Sequence, residues 1–197
     1  MNLPAKSRPT LPPARIALAG FMAAGKSTVG GELARVLSSA FVDLDEFICA
    51  RDGRSIRRIM QEEGEQRFRA LETELLTEML VEYELRAHVV LALGGGVWTL
   101  ERNRALLRAR NFLTVWLDAP FRLCWQRIEN SSSTPSTSPR PLATDVETAQ
   151  RLYDERRKIY QSADVRVQID EDRSVREIVA EIIDMIENKQ INRIMRT

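Results

Sequence analysis

The chain has 197 residues, enough to bury a full core in a single domain, with or without a small lid. Its 29 Lys+Arg against 28 Asp+Glu leave a formal charge of +1, so overall charge gives no reason to expect nucleic acid or an anionic membrane as partner. The only cysteines, Cys49 and Cys124, sit among apolar neighbours in helical segments and read as buried thiols, which excludes a disulfide scaffold and fits a reducing cytoplasm.

In chain order, residues 1–13, "MNLPAKSRPTLPP", carry four prolines, no acid, no amphipathic pattern and no hydrophobic block of a secretory signal, so a disordered tail is expected. "ARIALAG" (Ala14 to Gly20) is a nearly continuous apolar run ending in glycine, the pattern of a strand buried on both faces. A helix follows from Lys26 to about Leu37, with Val29, Leu33, Val36 and Leu37 at helical spacing. "AFVDLD" reads as a second strand, followed by helical segments near Glu46 to Arg51, in "SIRRIMQEEG" and in "EQRFRALETELLTEMLVEYEL". "VVLALGGG" repeats the strand-into-glycine pattern. Then come a helix from Thr99 to Arg110, the strand "FLTVWLD" and a helix from Arg122 to Glu129. "NSSSTPSTSPRPLAT" (Asn130 to Thr144) is rich in Ser, Thr and Pro and too long for a plain connection, so it reads as a linker or a lid. A helix from Asp145 to Ser162, the strand "VRVQID" and a helix from about Ser174 complete the chain. Strands alternating with helices argue for a parallel sheet covered on both faces, with ligands at the carboxyl ends of its strands. The longest apolar runs are too short to span a membrane.

"GFMAAGKS" (Gly20 to Ser27) satisfies G-x-x-x-x-G-K-[ST] and lies between a strand and a helix, the context this phosphate-binding loop requires. Glycines let backbone N–H groups curl around phosphate oxygens, and the helix N-terminus adds partial positive charge. Lys26 can then reach the β- and γ-phosphates, and the Ser27 hydroxyl can bind Mg²⁺. The loop specifies a nucleoside triphosphate but not its acceptor, since GTPases, ATP-driven machines and small-molecule kinases share it.

Asp43 and Asp45 end the second strand, and in an extended chain both side chains point the same way, toward the loop. One carboxylate could order Mg²⁺ while the other holds an acceptor hydroxyl and takes its proton; a solvated surface turn is the alternative. Arg67 and Arg69 start a helix, where the macrodipole disfavours cations, which points either to an anionic partner or to a solvated face. Gly94, Gly95 and Gly96 permit close backbone approach to a ligand, or a tight turn. Arg140, the only charge between Glu129 and Asp145, could close over a transferring phosphoryl group.

Together, "GFMAAGKST", "DLD", Phe68-Arg69, "GGG", "RPL" and the weaker "RRKIYQSA" resemble, in order and spacing, the shikimate kinases of the nucleoside monophosphate kinase-like P-loop group, over roughly Arg15 to Glu187. The resemblance implies a three-layer α/β/α P-loop kinase. Its five parallel strands would be ordered 2-3-1-4-5 in a single domain at 14–187, with an acceptor-binding region at about 43–83 and a mobile lid at about 130–144. Residues 188–197 would be a C-terminal extension. It implies transfer of the γ-phosphate of ATP to the 3-hydroxyl of shikimate, on the route to chorismate and aromatic amino acids. Gly20, Ala23, Ala24, Gly25, Lys26, Ser27, Thr28, Arg127 and Arg173 would bind the nucleotide, with Ser27 and Asp43 on Mg²⁺. Asp45, Arg69, Gly94, Gly95, Gly96, Arg140 and Arg156 would bind shikimate, and Lys26, Asp45 and Arg140 would carry catalysis. Ala23 stands where the family usually has glycine, so the backbone there must avoid positive φ or accept a cost of roughly 1 kcal/mol. A gluconate or nucleoside monophosphate kinase, or an ATP-binding module without transfer, are the competing readings. The expected protein is a cytoplasmic monomer acting on small molecules.

Overall fold

A computed structural model describes residues 15–132 and 145–194; the tail at 1–13 and most of the expected lid, with Arg140, lie outside the described residues. The strands are β1 (Arg15–Ala19), β2 (Ala40–Asp43), β3 (Val89–Ala92), β4 (Leu113–Asp118) and β5 (Val165–Gln168). The helices are α1 (Lys26–Leu37), α2 (Leu44–Asp52), α3 (Ile56–Glu82), α4 (Glu101–Ala109), α5 (Phe121–Ser132), α6 (Val146–Tyr160) and α7 (Val175–Ile194). The five strands form one parallel sheet ordered β2-β3-β1-β4-β5, as the resemblance implies.

Burial explains the order. β1 and β3 are almost wholly apolar and occupy inner positions where both faces are covered, whereas β5 alternates buried Val165 and Val167 with exposed Arg166 and Gln168, as an edge strand can. Register sets the working end of the sheet. Leu18 of β1 and Asp43 of β2 both pair with Ala92 of β3, so the phosphate loop, Asp43 and the glycine triplet emerge side by side.

Local chemistry starts and stops the helices. Asp145 accepts from Thr148 N to cap α6, and Ser174 with Glu177 closes a reciprocal capping box before α7. Gly53, at φ 78°, ends α2. α3 is broken at Gly64, at φ 81° and ψ 167°, where the sequence already divides "SIRRIMQEEG" from the longer segment after it. β2 is shorter than "AFVDLD" suggests: Leu44 and Asp45 belong to α2, because the Asp43 carboxylate accepts from the backbone N of Asp45 and Glu46 and nucleates the helix there. Asp43 and Asp45 therefore do not share a strand face, which corrects the reason for expecting them together. The described part of the C-terminal extension continues α7, and Lys189 Nζ binds the Asp164 carbonyl at 2.8 Å and its carboxylate at 2.9 Å.

Candidate active site

The phosphate loop bridges β1 and α1. Gly20 has φ 147°, and a Cβ there would lie 2.8 Å from the Leu117 carbonyl, so neighbouring β4 forbids a side chain. Gly25, at φ 97°, is the N-cap of α1. Ala23 takes φ 60°, so this backbone accepts the left-handed cost rather than avoiding it. Its carbonyl accepts from Arg127 Nη1 at 3.1 Å, which joins α5 to the loop. Phe21 packs edge-on against Tyr153 of α6 at 5.2 Å, bracing the loop from behind. Lys26 Nζ donates to the carbonyls of Gly20 (3.0 Å) and Phe21 (2.8 Å), so the ammonium is held over the cradle. Ser27 Oγ donates to Asp43 Oδ2 at 2.5 Å while Asp43 Oδ1 caps α2. A hydroxyl and a carboxylate thus meet at the start of α1, hard oxygen donors of the kind Mg²⁺ takes alongside water and substrate phosphates.

The second half of the site is built around the glycine triplet after β3. A Cβ on Gly94 would lie 2.6 Å from Asp45 Oδ1 and 3.0 Å from Glu72 Oε1; one on Gly96 would lie within 2.7 Å of the Arg69 guanidinium. A Cβ on Gly95 would touch Arg156 Nη1 and Met22 N at 3.4 Å each. The triplet is thus the floor across which four charged side chains lie. Gly94→Ala is expected to displace Asp45 and lower turnover. Gly96→Ala should displace Arg69 and raise the acceptor KM, the fold being retained in both. Steady-state kinetics on the two variants checks this, and equal effects on the nucleotide KM would refute it.

Arg69, in the second part of α3, donates to Glu72 Oε2 at 2.8 Å and faces Glu65 at 3.3 Å. Burial works to lower its pKa, but the two carboxylates outweigh it and the net direction is up. Glu72 is buried to 1% exposure, and its Oε1 has no hydrogen-bond partner among the described residues. Burial pushes its pKa up, opposed by Arg69. Arg156, from α6, is 7% exposed and has no ion pair among the described residues. Burial pushes its pKa down, with Arg69 adding repulsion against the pull of Tyr160 and Glu72. Tyr160, whose hydroxyl donates to the Gly95 carbonyl at 2.5 Å, ties α6 to the triplet. Arg67 turns away toward Glu63 and Glu74 on an exposed face, as a solvated residue does, whereas Arg69 points inward to Glu72 beside the glycine triplet.

Two chambers result. A cavity of about 680 Å³ runs from the phosphate loop past Asp43 to Arg127, Arg173 and apolar side chains at Ile169 and Ile178. A smaller one, about 80 Å³, is lined by Arg69, Glu72, Arg156 and the triplet. Met22, Asp45, Ile56 and Gly95 line both, so Asp45 stands at the junction. Arg173 is held at the rim by the Gln168 carbonyl at 2.7 Å and Glu181 at 2.5 Å. Glu72 and Ile56 are not singled out by the sequence, although Arg69-x-x-Glu72 at helical i,i+3 spacing is a signal for the first; Tyr160 enters only as part of the weaker motif "RRKIYQSA". Cys49 is only half-buried and lines the larger chamber, unlike the fully buried Cys124.

The model of one family, shikimate kinase, matches residues 22–187, more than half of the chain and every element of both chambers. The chain belongs to the shikimate kinase family. The shikimate kinase of Aquifex aeolicus is 37% identical over 177 residues, covering 90% of this chain and 98% of that relative. That of Salinibacter ruber is 39% identical over 186 residues, covering 88% and 85%. A solved shikimate kinase from Acinetobacter baumannii in complex with shikimate superposes with a TM-score of 0.79 at 33% identity, over 91% of this chain and 95% of that one. The shikimate kinase match stops at residue 187, before the last turns of α7. No described helix is long and apolar enough to cross a membrane.

Proposed function

We propose that the chain transfers the γ-phosphoryl of ATP to the 3-hydroxyl of shikimate, giving 3-phosphoshikimate and ADP for chorismate and aromatic amino acid synthesis. The observation that carries the acceptor is Arg156: a buried guanidinium without a carboxylate partner among the described residues, beside Arg69. Desolvated positive charge there is compensated by an acceptor carboxylate gripped by both guanidiniums. Membership of the family and the shikimate-bound relative support the same acceptor.

In this reading the loop amides of Gly20 to Thr28, with Ala23, Ala24 and Gly25 at its turn, cradle the phosphates, and Lys26 follows the transferring group toward the acceptor. Ser27 and Asp43 fit Mg²⁺, which when bound neutralises phosphate charge. Asp45, at the mouth between the chambers, holds the acceptor hydroxyl and takes its proton. Gly94 to Gly96 bring backbone close to the acceptor ring, while Arg127 and Arg173 line the nucleotide chamber. Arg140, outside the described residues, keeps its motif assignment to the phosphoryl group. Positioning and electrostatics supply most of the catalysis. The protein is read as a cytoplasmic monomer acting on small molecules, in keeping with the few large hydrophobic side chains exposed among the described residues.

The test is ADP release from Mg-ATP with shikimate, gluconate, a panel of nucleoside monophosphates and no acceptor in parallel. Release is expected with shikimate alone; release with another acceptor, or none with any, overturns the assignment.

A further inference from the structure

The proposed transfer leaves one cation of the nucleotide chamber unused. Arg57 follows the Ser55 cap and Ile56 in the first turn of α3, a turn without acidic residues. The cations beside it are compensated: Arg54 pairs with Asp52, Glu62 and Glu63, and Arg58 with Glu62. Arg57 makes no ion pair among the described residues, and the positions three and four ahead of it are Met60 and Gln61. Its charge also opposes the helix macrodipole, and the side chain is exposed, so no carboxylate of the described residues holds the guanidinium away from a ligand.

Its placement is specific. Arg57 lines the larger chamber together with Lys26, Ser27 and Asp43, and is absent from the lining of the acceptor chamber, whereas its neighbour Ile56 borders both. The half-helix that bounds the acceptor therefore also contributes a cationic residue to the wall of the donor's compartment. Within that compartment, the phosphate nearest an acceptor-side element is the one to be transferred. We infer that Arg57 binds the terminal phosphate of the nucleotide from the side opposite the phosphate loop, so that the acceptor-binding region itself distinguishes a nucleoside triphosphate from a diphosphate.

This inference rests on the loop holding a nucleoside triphosphate, and the test separates the two. Calorimetry on the full chain would measure affinities for a non-hydrolysable ATP analogue with a P–N–P bridge, for ADP, both with Mg²⁺, and for shikimate. Arg57→Ala is expected to weaken the triphosphate analogue roughly tenfold, as loss of one charge-assisted contact does. ADP and shikimate affinities should change less than about twofold, and Arg57→Lys should recover most of the loss, since a lysine keeps the charge. Unchanged binding of the analogue, equal weakening of ADP, or weakening of shikimate alone each overturns the inference. A wild-type chain that binds neither nucleotide overturns the nucleotide reading and the role of Arg57 with it.

Discussion

Asp45→Asn is expected to lower shikimate-dependent turnover by about 10²- to 10⁴-fold, the usual contribution of a positioned general base. Nucleotide affinity should remain within about twofold, because the phosphate contacts come from the loop and not from this side chain. Asparagine keeps the size of the carboxylate, so the close approach to Gly94 survives and the change is chemical rather than steric. Asp45 is also not the cap of α2, since the capping carboxylate is that of Asp43, so the helix start is kept in the variant. Turnover near wild type in this variant would remove Asp45 from the proton-accepting role, and a large loss of nucleotide affinity would move it to the donor side.

Arg69, half-buried, and Arg156, buried, should behave oppositely in stability while agreeing in binding. Each loses a charge-assisted grip on the acceptor carboxylate, worth around 2 kcal/mol, so Arg69→Ala and Arg156→Met should each raise the shikimate KM by about 30-fold. Arg69→Ala also strands Glu72, which is 1% exposed and whose only hydrogen-bond partner among the described residues is Arg69, at a cost of roughly 3 kcal/mol. Arg156→Met removes a buried charge that has no ion-pair partner among the described residues, so thermal stability should hold or rise.

The deficit of Arg69→Ala depends on pH in a defined direction. Burial already holds the Glu72 pKa above the ordinary carboxylate range, and loss of Arg69 raises it further. A raised carboxyl pKa means that the folded state holds the proton more tightly than the unfolded one. Stability then falls as pH rises from the ordinary carboxylate value through the folded value, and the variant approaches wild type toward acid. Denaturation midpoints measured from neutral to mildly acid pH check this; a deficit that widens toward acid would mean that Glu72 is not its source.

Much of the framework is written locally. The apolar runs of β1 and β3, the phosphate loop between β1 and α1, and the break of α3 at Gly64 follow from hydrophobic period, glycine placement and strand length, properties carried by a few consecutive residues. The candidate residues were also legible because phosphate and carboxylate chemistry admits few side chains, and Lys26, Asp45, Arg69 and Arg156 do line the chambers. The strand order and the acceptor came from the ordered set of motifs and their resemblance, since no single motif specifies either.

What each side chain meets was settled only by the tertiary structure. The glycine triplet looks like a turn or a set of backbone donors, yet its missing Cβ atoms make room for Asp45, Glu72 and Arg69 from α2 and α3. Asp43 and Asp45 look like a strand pair, but one is the helix cap and the other lies in the first turn of that helix. Glu72 and Arg57 look like ordinary members of charged helix faces; one is buried against Arg69 and the other borders the phosphate loop. The sequence determined the elements and the chemistry available, because both depend on near neighbours along the chain. The folded structure decided which charges are buried, paired or left for a ligand, because those depend on strands and helices that meet only when the sheet assembles.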